Sequence, residues 1–210
     1  GDGVVDEDDK TIIGKAMPQH TGGFTINGNW KAIDFSVGFT YQIGGDVYNA
    51  NAMHSLMGNK DNSAGQNRLK FVSETFKYYD VDANGDLMLV KDPTALAALN
   101  ANTNYSSFFS EYGIVSSKFI EDASYLRLNT LTVGYTFPKN WMNKIGLQNA
   151  RVYFTGSNLF CIDGYSGIDP DVNTKTDGKD GFPTPYFDYQ SYPKARTYTS
   201  VSYTHLRAHE

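Results

Sequence analysis

Residues 122–137, DASYLRLNTLTVGYTF, decide how this chain is read. In their second half Leu131, Val133, Tyr135 and Phe137 fall on one side of an extended strand, with Thr130, Thr132, Gly134 and Thr136 on the other. Successive side chains of a strand point to opposite faces, so the segment has one apolar and one polar face. Leu126 and Leu128 occupy even positions instead. That one-residue slip of phase near Asn129 predicts a bulge, or a strand that meets new surroundings there. Whether the apolar face touches a protein core or lipid sets the fold class.

Other segments repeat the pattern. In 32–43, AIDFSVGFTYQI, the residues Ile33, Phe35, Val37, Phe39, Tyr41 and Ile43 make an unbroken apolar row opposite Asp34, Ser36, Gly38, Thr40 and Gln42. In 23–31, GFTINGNWK, Phe24, Ile26 and Trp30 share a face. In 150–161, ARVYFTGSNLFC, Val152, Phe154 and Phe160 do so, with an interruption at Asn158. A fifth candidate starts at KARTYT, 194–199. Strands are therefore expected near 21–31, 32–43, 122–137, 150–161 and 194–199.

The connections sort by length. The chain turns at Lys31–Ala32 and again between 137 and 150, whereas 44–121 and 162–193 are long excursions. Short connections thus gather at one end of the sheet and long ones at the other, as in outer-membrane barrels. Strands of about 9–11 residues match what a tilted strand needs to cross a bilayer. Trp30, Trp141, Phe137 and Tyr135 cluster by the short turns, where an interfacial aromatic girdle would lie. A soluble β-sandwich shares the alternation and stays open as an alternative at this point.

Composition narrows the field. Fifteen Tyr, 13 Phe and 20 Gly in 210 residues favour strands. No run approaches the ~18–20 apolar residues of a membrane helix. A mean hydropathy of −0.44 is compatible with a barrel, whose apolar surface hides in every second residue. One cysteine, Cys161, leaves no disulfide within the chain and no cysteine-based zinc site. A net charge of −5 with no basic cluster argues against a nucleic-acid binder.

Taken together, FIEDASYLRLNTLTVGYTFP (119–138), ARVYFTGSNLF (150–160), YSGIDPDV (165–172), YPKARTYT (192–199) and the stretch 1–49 resemble the C-terminal part of SusC/RagA-type TonB-dependent outer-membrane receptors. The resemblance implies an all-β, antiparallel transmembrane β-barrel fragment: about five C-terminal strands of a barrel of about 22, with long extracellular loops. It implies residues 1–199 as one stretch of that barrel. It also implies import of oligosaccharides or peptides across a Gram-negative, Bacteroidetes-like outer membrane. The implied partners are a SusD-type surface lipoprotein and the TonB complex, reached through a region N-terminal to this chain. A siderophore or cobalamin receptor of the wider TonB-dependent class is the nearest alternative; a soluble carbohydrate-binding β-sandwich is the other.

Few residues invite site chemistry. If Gly3 in GDGVVDEDD is the sharp-turn glycine of an EF-hand-like loop, Asp2, Asp6 and Asp9 fall at oxygen-ligand positions for calcium, part of a site that the resemblance places in an extracellular loop. A solvated acidic turn is the reading the residues of this segment favour over the metal loop. In DVDANGD (80–86) the residues Asp80, Asp82 and Asn84 match, but Lys91 stands where a bidentate glutamate is needed, so a turn is expected. His20, His54, His205 and His209 form no ligand or triad spacing, and no nucleophile or phosphate-cradling motif occurs, so catalysis is not expected. The aromatic stretch 182–192, FPTPYFDYQSY, is expected to pack a long loop, with sugar or lipoprotein contact as the alternative. After Thr199 the alternation fails: on the parity of Tyr198 lie Ser200, Ser202 and Thr204. Residues 200–210 are therefore expected to be a tail foreign to the protein.

Overall fold

The structure, a computed structural model, describes residues 10–56, 67–105, 116–172, 186–189 and 191–206. Its strands in chain order are β1 (His20–Trp30), β2 (Ile33–Ile43), β3 (Asp46–Asn49), β4 (Tyr79–Val81) and β5 (Leu87–Leu89). They continue as β6 (Ile120–Asp122), β7 (Tyr125–Thr136), β8 (Leu147–Asp163), β9 (Phe187–Asp188) and β10 (Thr197–Leu206). Among the described residues three short α-helices intervene, α1 (Ala50–Leu56), α2 (Pro93–Leu99) and α3 (Lys139–Lys144), with 3-10 turns at Lys70–Glu74 and Ser117–Phe119. The chain divides into two compact units, one of residues 1–48 with 120–210 and one of residues 49–119.

The first unit is dominated by one antiparallel sheet in the order β1-β2-β7-β8-β10. All five expected strands are present. Sequence reading placed the last two too short: β8 runs from Leu147 to Asp163, and β10 extends from Thr197 through Leu206 rather than ending at Thr199. Backbone pairing with β8 holds β10 in the sheet whatever its side chains, which is why failed alternation did not end it. The β1–β2 turn is two residues long, with Lys31 in the left-handed region at φ 55. The β7–β8 connection folds as α3, which seats Met142 in a buried position.

Registers settle which side chains share a face. Ile26 lies beside Val37, Leu131 and Gly156; Gly28 beside Phe35, Val133 and Phe154; Trp30 beside Ile33, Tyr135 and Val152. The phase slip is a bulge: pairing steps from Gly38–Thr130 to Phe39–Leu128, leaving Asn129 as the extra residue. Asn158 on β8, at φ 52, sits in the matching irregularity between Leu128–Phe160 and Thr130–Ser157. The two bulges bring Leu126, Leu128, Phe160 and Ile162 onto the apolar face with Phe39 and Tyr41, so the greasy row is continuous through the slip. Phe35 lies across Gly28, where an added Cβ would come within 2.4 Å of its ring.

No second layer covers the rows from Ile26 to Phe35 of that face among the described residues; at the bulge Leu128 is 6% exposed, enclosed beside Phe39 and Phe160. Phe35, Val133, Phe154 and Phe160 are 38–43% exposed and Ile26 51%. A sandwich would bury these rows against a second sheet; the sandwich alternative is set aside. From Ile33 to Ile43, β2 rises about 34 Å, or about 24 Å along a membrane normal at a tilt of about 45°, close to the apolar band of a barrel.

The buried cluster of this unit lies at the long-connection end, where Val47, Ala123, Tyr165 and Val172 pack together with Tyr186 against them. A small sheet, β6-β3-β9, frames it. In the second unit, Asp92 caps α2 by accepting from Ala95 N at 2.8 Å, and β4 and β5 form a hairpin. The excursion 44–121, expected as loop, thus carries strands and helices too short for periodicity to reveal.

Candidate functional site

Opposite the apolar rows lies a polar wall. Its residues alternate with the greasy ones for the reason already given, and cross-strand rows combine them: Asn27, Ser36, Thr132, Thr155 and Thr199 in one, Thr25, Gly38, Thr130, Ser157 and Thr197 in the next. The hydroxyls of Thr132 and Thr155 share a hydrogen bond at 3.0 Å. Such a wall presents donors and acceptors to water or solute.

Nearer the short turns, Arg151 on β8 reaches across β7 to Asp34 on β2. Its Nη2 donates to Asp34 Oδ2 at 2.5 Å and its Nε to Asp34 Oδ1 at 3.2 Å, a two-pronged pair. Gly134 makes this reach possible. A Cβ there would stand 2.5 Å from Arg151 Nη2 and 2.6 Å from Asp34 Oδ1. Both side chains remain about one-third exposed, so water screens the pair. The guanidinium also lies 5.1 Å from the Tyr153 ring.

At the long-connection end the wall is overlaid by chain. Arg127, on the polar face beside Thr40 and Cys161, donates from Nη2 to Asp169 Oδ1 at 2.6 Å, with both side chains nearly enclosed. Asp169 also accepts from Asp171 N, and Pro170 between them is fully buried. Ser166 donates from backbone and hydroxyl to the Glu121 carboxylate. Asp171 pairs in turn with Lys194. The motif YSGIDPDV is thus a strap bound down onto β7 and β6.

A second set of bonds fixes the return of the chain. Buried Asp188 accepts from Tyr165 Oη at 2.6 Å and from Ser191 N. Burial first, then Asp188, pushes the Tyr165 phenol well above its ordinary range, so it is protonated and donates. Tyr186 Oη donates to Gln42 Oε1 at 2.9 Å, while Gln42 Nε2 donates to Ala123 O at 3.0 Å. Burial, and then the charge of Asp171, raises the Tyr186 phenol. Phe187 stacks on Tyr48 at 5.2 Å. Tyr186 and Phe187 therefore pack the rim, as the sequence reading expected of this stretch; Tyr192, 93% exposed, does not.

The metal candidates separate. Asp2, Asp6 and Asp9 lie outside the described residues. The 80–86 segment is the β4–β5 turn: Asp82 Oδ1 accepts from the amides of Asn84 and Asp86, and these bonds hold its carboxyl below the usual range. Asp80 turns its carboxylate to Val81 N. Among the described residues no cluster of three or more His, Cys, Asp or Glu side chains could hold a metal. The ion pairs Asp34–Arg151 and Arg127–Asp169 were not anticipated as a pair of contacts. Their signal was charge at polar-face positions within strands; their partners, 117 and 42 residues away, carry no local mark.

No family model matches the chain. Curated relatives do. TonB-dependent receptor P3 of Formosa agariphila is 29% identical over 200 residues, covering 95% of this chain and 17% of that protein. TonB-dependent receptor SusC of Bacteroides thetaiotaomicron is 28% identical over 206 residues, covering 94% of this chain and 16% of that protein. The chain thus spans about a sixth of the length of the curated relatives it matches. Among solved structures, the RagAB peptide transporter superposes with a TM-score of 0.60 at 19% identity, over 90% of this chain and 17% of that one. The RagAB peptide importer in its closed-closed state gives 0.58 at 20% identity, over 96% and 20%. Along nearly its whole length the chain is similar to one part of a SusC/RagA-type TonB-dependent receptor, and its sheet has the fold of part of such a barrel.

Proposed function

We propose that this chain is a piece of the wall and outer rim of an outer-membrane TonB-dependent importer that takes up oligosaccharides or peptides. In this reading its apolar face meets lipid and its polar face lines the lumen. The strapped end at 165–172 and 186–189 stands at the extracellular mouth, where a SusD-type lipoprotein pairs with the receptor. Energy comes from the TonB complex through other parts of the protein. The role is transport, not catalysis. The observation that carries it is the five-stranded sheet whose continuous apolar face is left open, with short connections at one end and long ones at the other. Backbone groups facing lipid are paired along every internal strand, as a barrel requires. A calcium ion on Asp2, Asp6 and Asp9 in an extracellular loop belongs to the same proposal.

The test places arginine on each face of the central strand, in the full-length receptor that carries this segment. Val37→Arg, next to the midpoint of β2 on the apolar face, is expected to cost about 2–4 kcal/mol of barrel stability. Ser36→Arg, one residue away on the polar face, is expected to leave assembly unchanged. Equal tolerance of the two, read from folded receptor in outer-membrane fractions, sinks the assignment of faces.

A further inference from the structure

We propose that the short-turn edge of the apolar face is a binding site for one anionic phospholipid, with its phosphate on Lys31 and an acyl chain along Ile33, Tyr135 and Val152. The inference rests on the lipid-facing reading of that surface. Lys31 occupies the tight β1–β2 turn in the left-handed region, and its Nζ stands 4.8 Å from the Trp30 ring centroid. Trp30 pairs with Ile33 and therefore lies on the apolar side, so the ammonium leans over the edge of the same face. Directly beyond it the sheet carries a shallow hollow of about 230 Å³, whose floor on β2, β7 and β8 is Ile33, Val133, Tyr135, Val152 and Phe154. It lies within two side-chain rows of the turn.

The charges at this edge complement a phosphodiester. The connections 31–32 and 137–146 hold Lys31, Lys139 and Lys144 with no aspartate or glutamate. A lysine is a compact donor suited to phosphate, and basic residues at a membrane edge draw anionic headgroups. Trp30 and the exposed Trp141 supply rings that favour the headgroup level. A free phosphate would leave the apolar hollow unused; a phospholipid fills both halves of the site.

The experiment is native mass spectrometry of the full-length receptor in detergent, titrated with phosphatidylglycerol and with phosphatidylcholine. The expected result is retention of phosphatidylglycerol over phosphatidylcholine. Lys31→Gln is expected to lower phosphatidylglycerol retention about fivefold, and Lys31→Arg to keep it. Val133→Trp, or Val152→Trp if that variant fails to assemble, fills the hollow and is expected to lower retention with Lys31 intact. Heat-dependent gel mobility identifies the variants that remain folded barrels. Equal retention of the two lipids, or no change with Lys31→Gln, in a detergent-dependent receptor overturns this site alone. A receptor that stays monodisperse without detergent and holds neither lipid overturns the lipid-facing reading and the site with it.

Discussion

Arg127 and Asp169 lie 2.6 Å apart with side chains 6% and 9% exposed, and enclosure on that scale makes each charge depend on the other. Desolvating two ions is costly, so the pair is weak evidence of net stabilisation, but removing one partner strands the other. Arg127 has little in reserve: the Tyr125 ring lies 5.3 Å from its guanidinium, and its Nε has no hydrogen-bond partner among the described residues. Asp169→Asn is therefore expected to destabilise the rim by about 3–5 kcal/mol, whereas the double replacement Arg127→Met with Asp169→Leu recovers most of that loss. Denaturant unfolding of the detergent-solubilised full-length receptor measures both, and a single variant as stable as the parent would refute the strap as a held element. Sequence could not have paired these residues. YSGIDPDV is recognisable as a motif, yet nothing in it says that its first aspartate closes on an arginine 42 positions earlier.

Within β7 the bulge at Asn129 decides which side chains meet which solvent. Counting by twos from Val133 would send Leu126 and Leu128 to the polar side; pairing with Phe39 and Tyr41 keeps them on the apolar one. This makes a sharp prediction for labels placed one at a time in the full-length receptor with Cys161→Ser as background. Cysteine-linked probes at 128 and 133 are expected to read hydrocarbon, and those at 130 and 132 water, so the even-numbered positions 128 and 130 disagree. Accessibility to oxygen against a water-soluble nickel reagent distinguishes them. Agreement between 128 and 130 would mean a regular strand with no bulge. The slip was visible in sequence, and so was the choice it posed. Its resolution was not, because a bulge is fixed by the register of the neighbouring strands rather than by the bulged residues alone. For the same reason the helix α3 and the hairpin β4–β5 escaped a reading built on long alternation: six and three residues hold too little of any period.

At the scale of the molecule, alternation and loop sorting were enough to find the five-stranded sheet, since a surface divided between hydrocarbon and water must write its period into the chain. The last strand is where the two disagree. Its pairing with β8 places Tyr198, Ser200, Ser202 and Thr204 beside Gly156, Phe154, Val152 and Ala150, so three hydroxyl residues occupy the face that every other strand fills with apolar side chains. Hydroxyls facing lipid can bond only locally and leave the neighbouring Phe154 uncovered, 41% exposed. Our proposal that residues 200–210 are foreign to the native protein accounts for this mismatch, and long-read sequencing of the locus tests the origin directly. The physical consequence is independent of origin. Replacing Ser200, Ser202 and Thr204 with leucine, valine and phenylalanine in the receptor that carries these residues adds apolar surface where it meets hydrocarbon. Each replacement is expected to contribute on the order of 1 kcal/mol. Together they should raise the temperature at which the folded barrel loses its compact gel mobility, while the same three changes at Thr197, Thr199 and Val201 on the polar face should not. If both sets behave alike, β10 does not sit in the sheet with the parity described, and the boundary between lipid and lumen must be redrawn from β8.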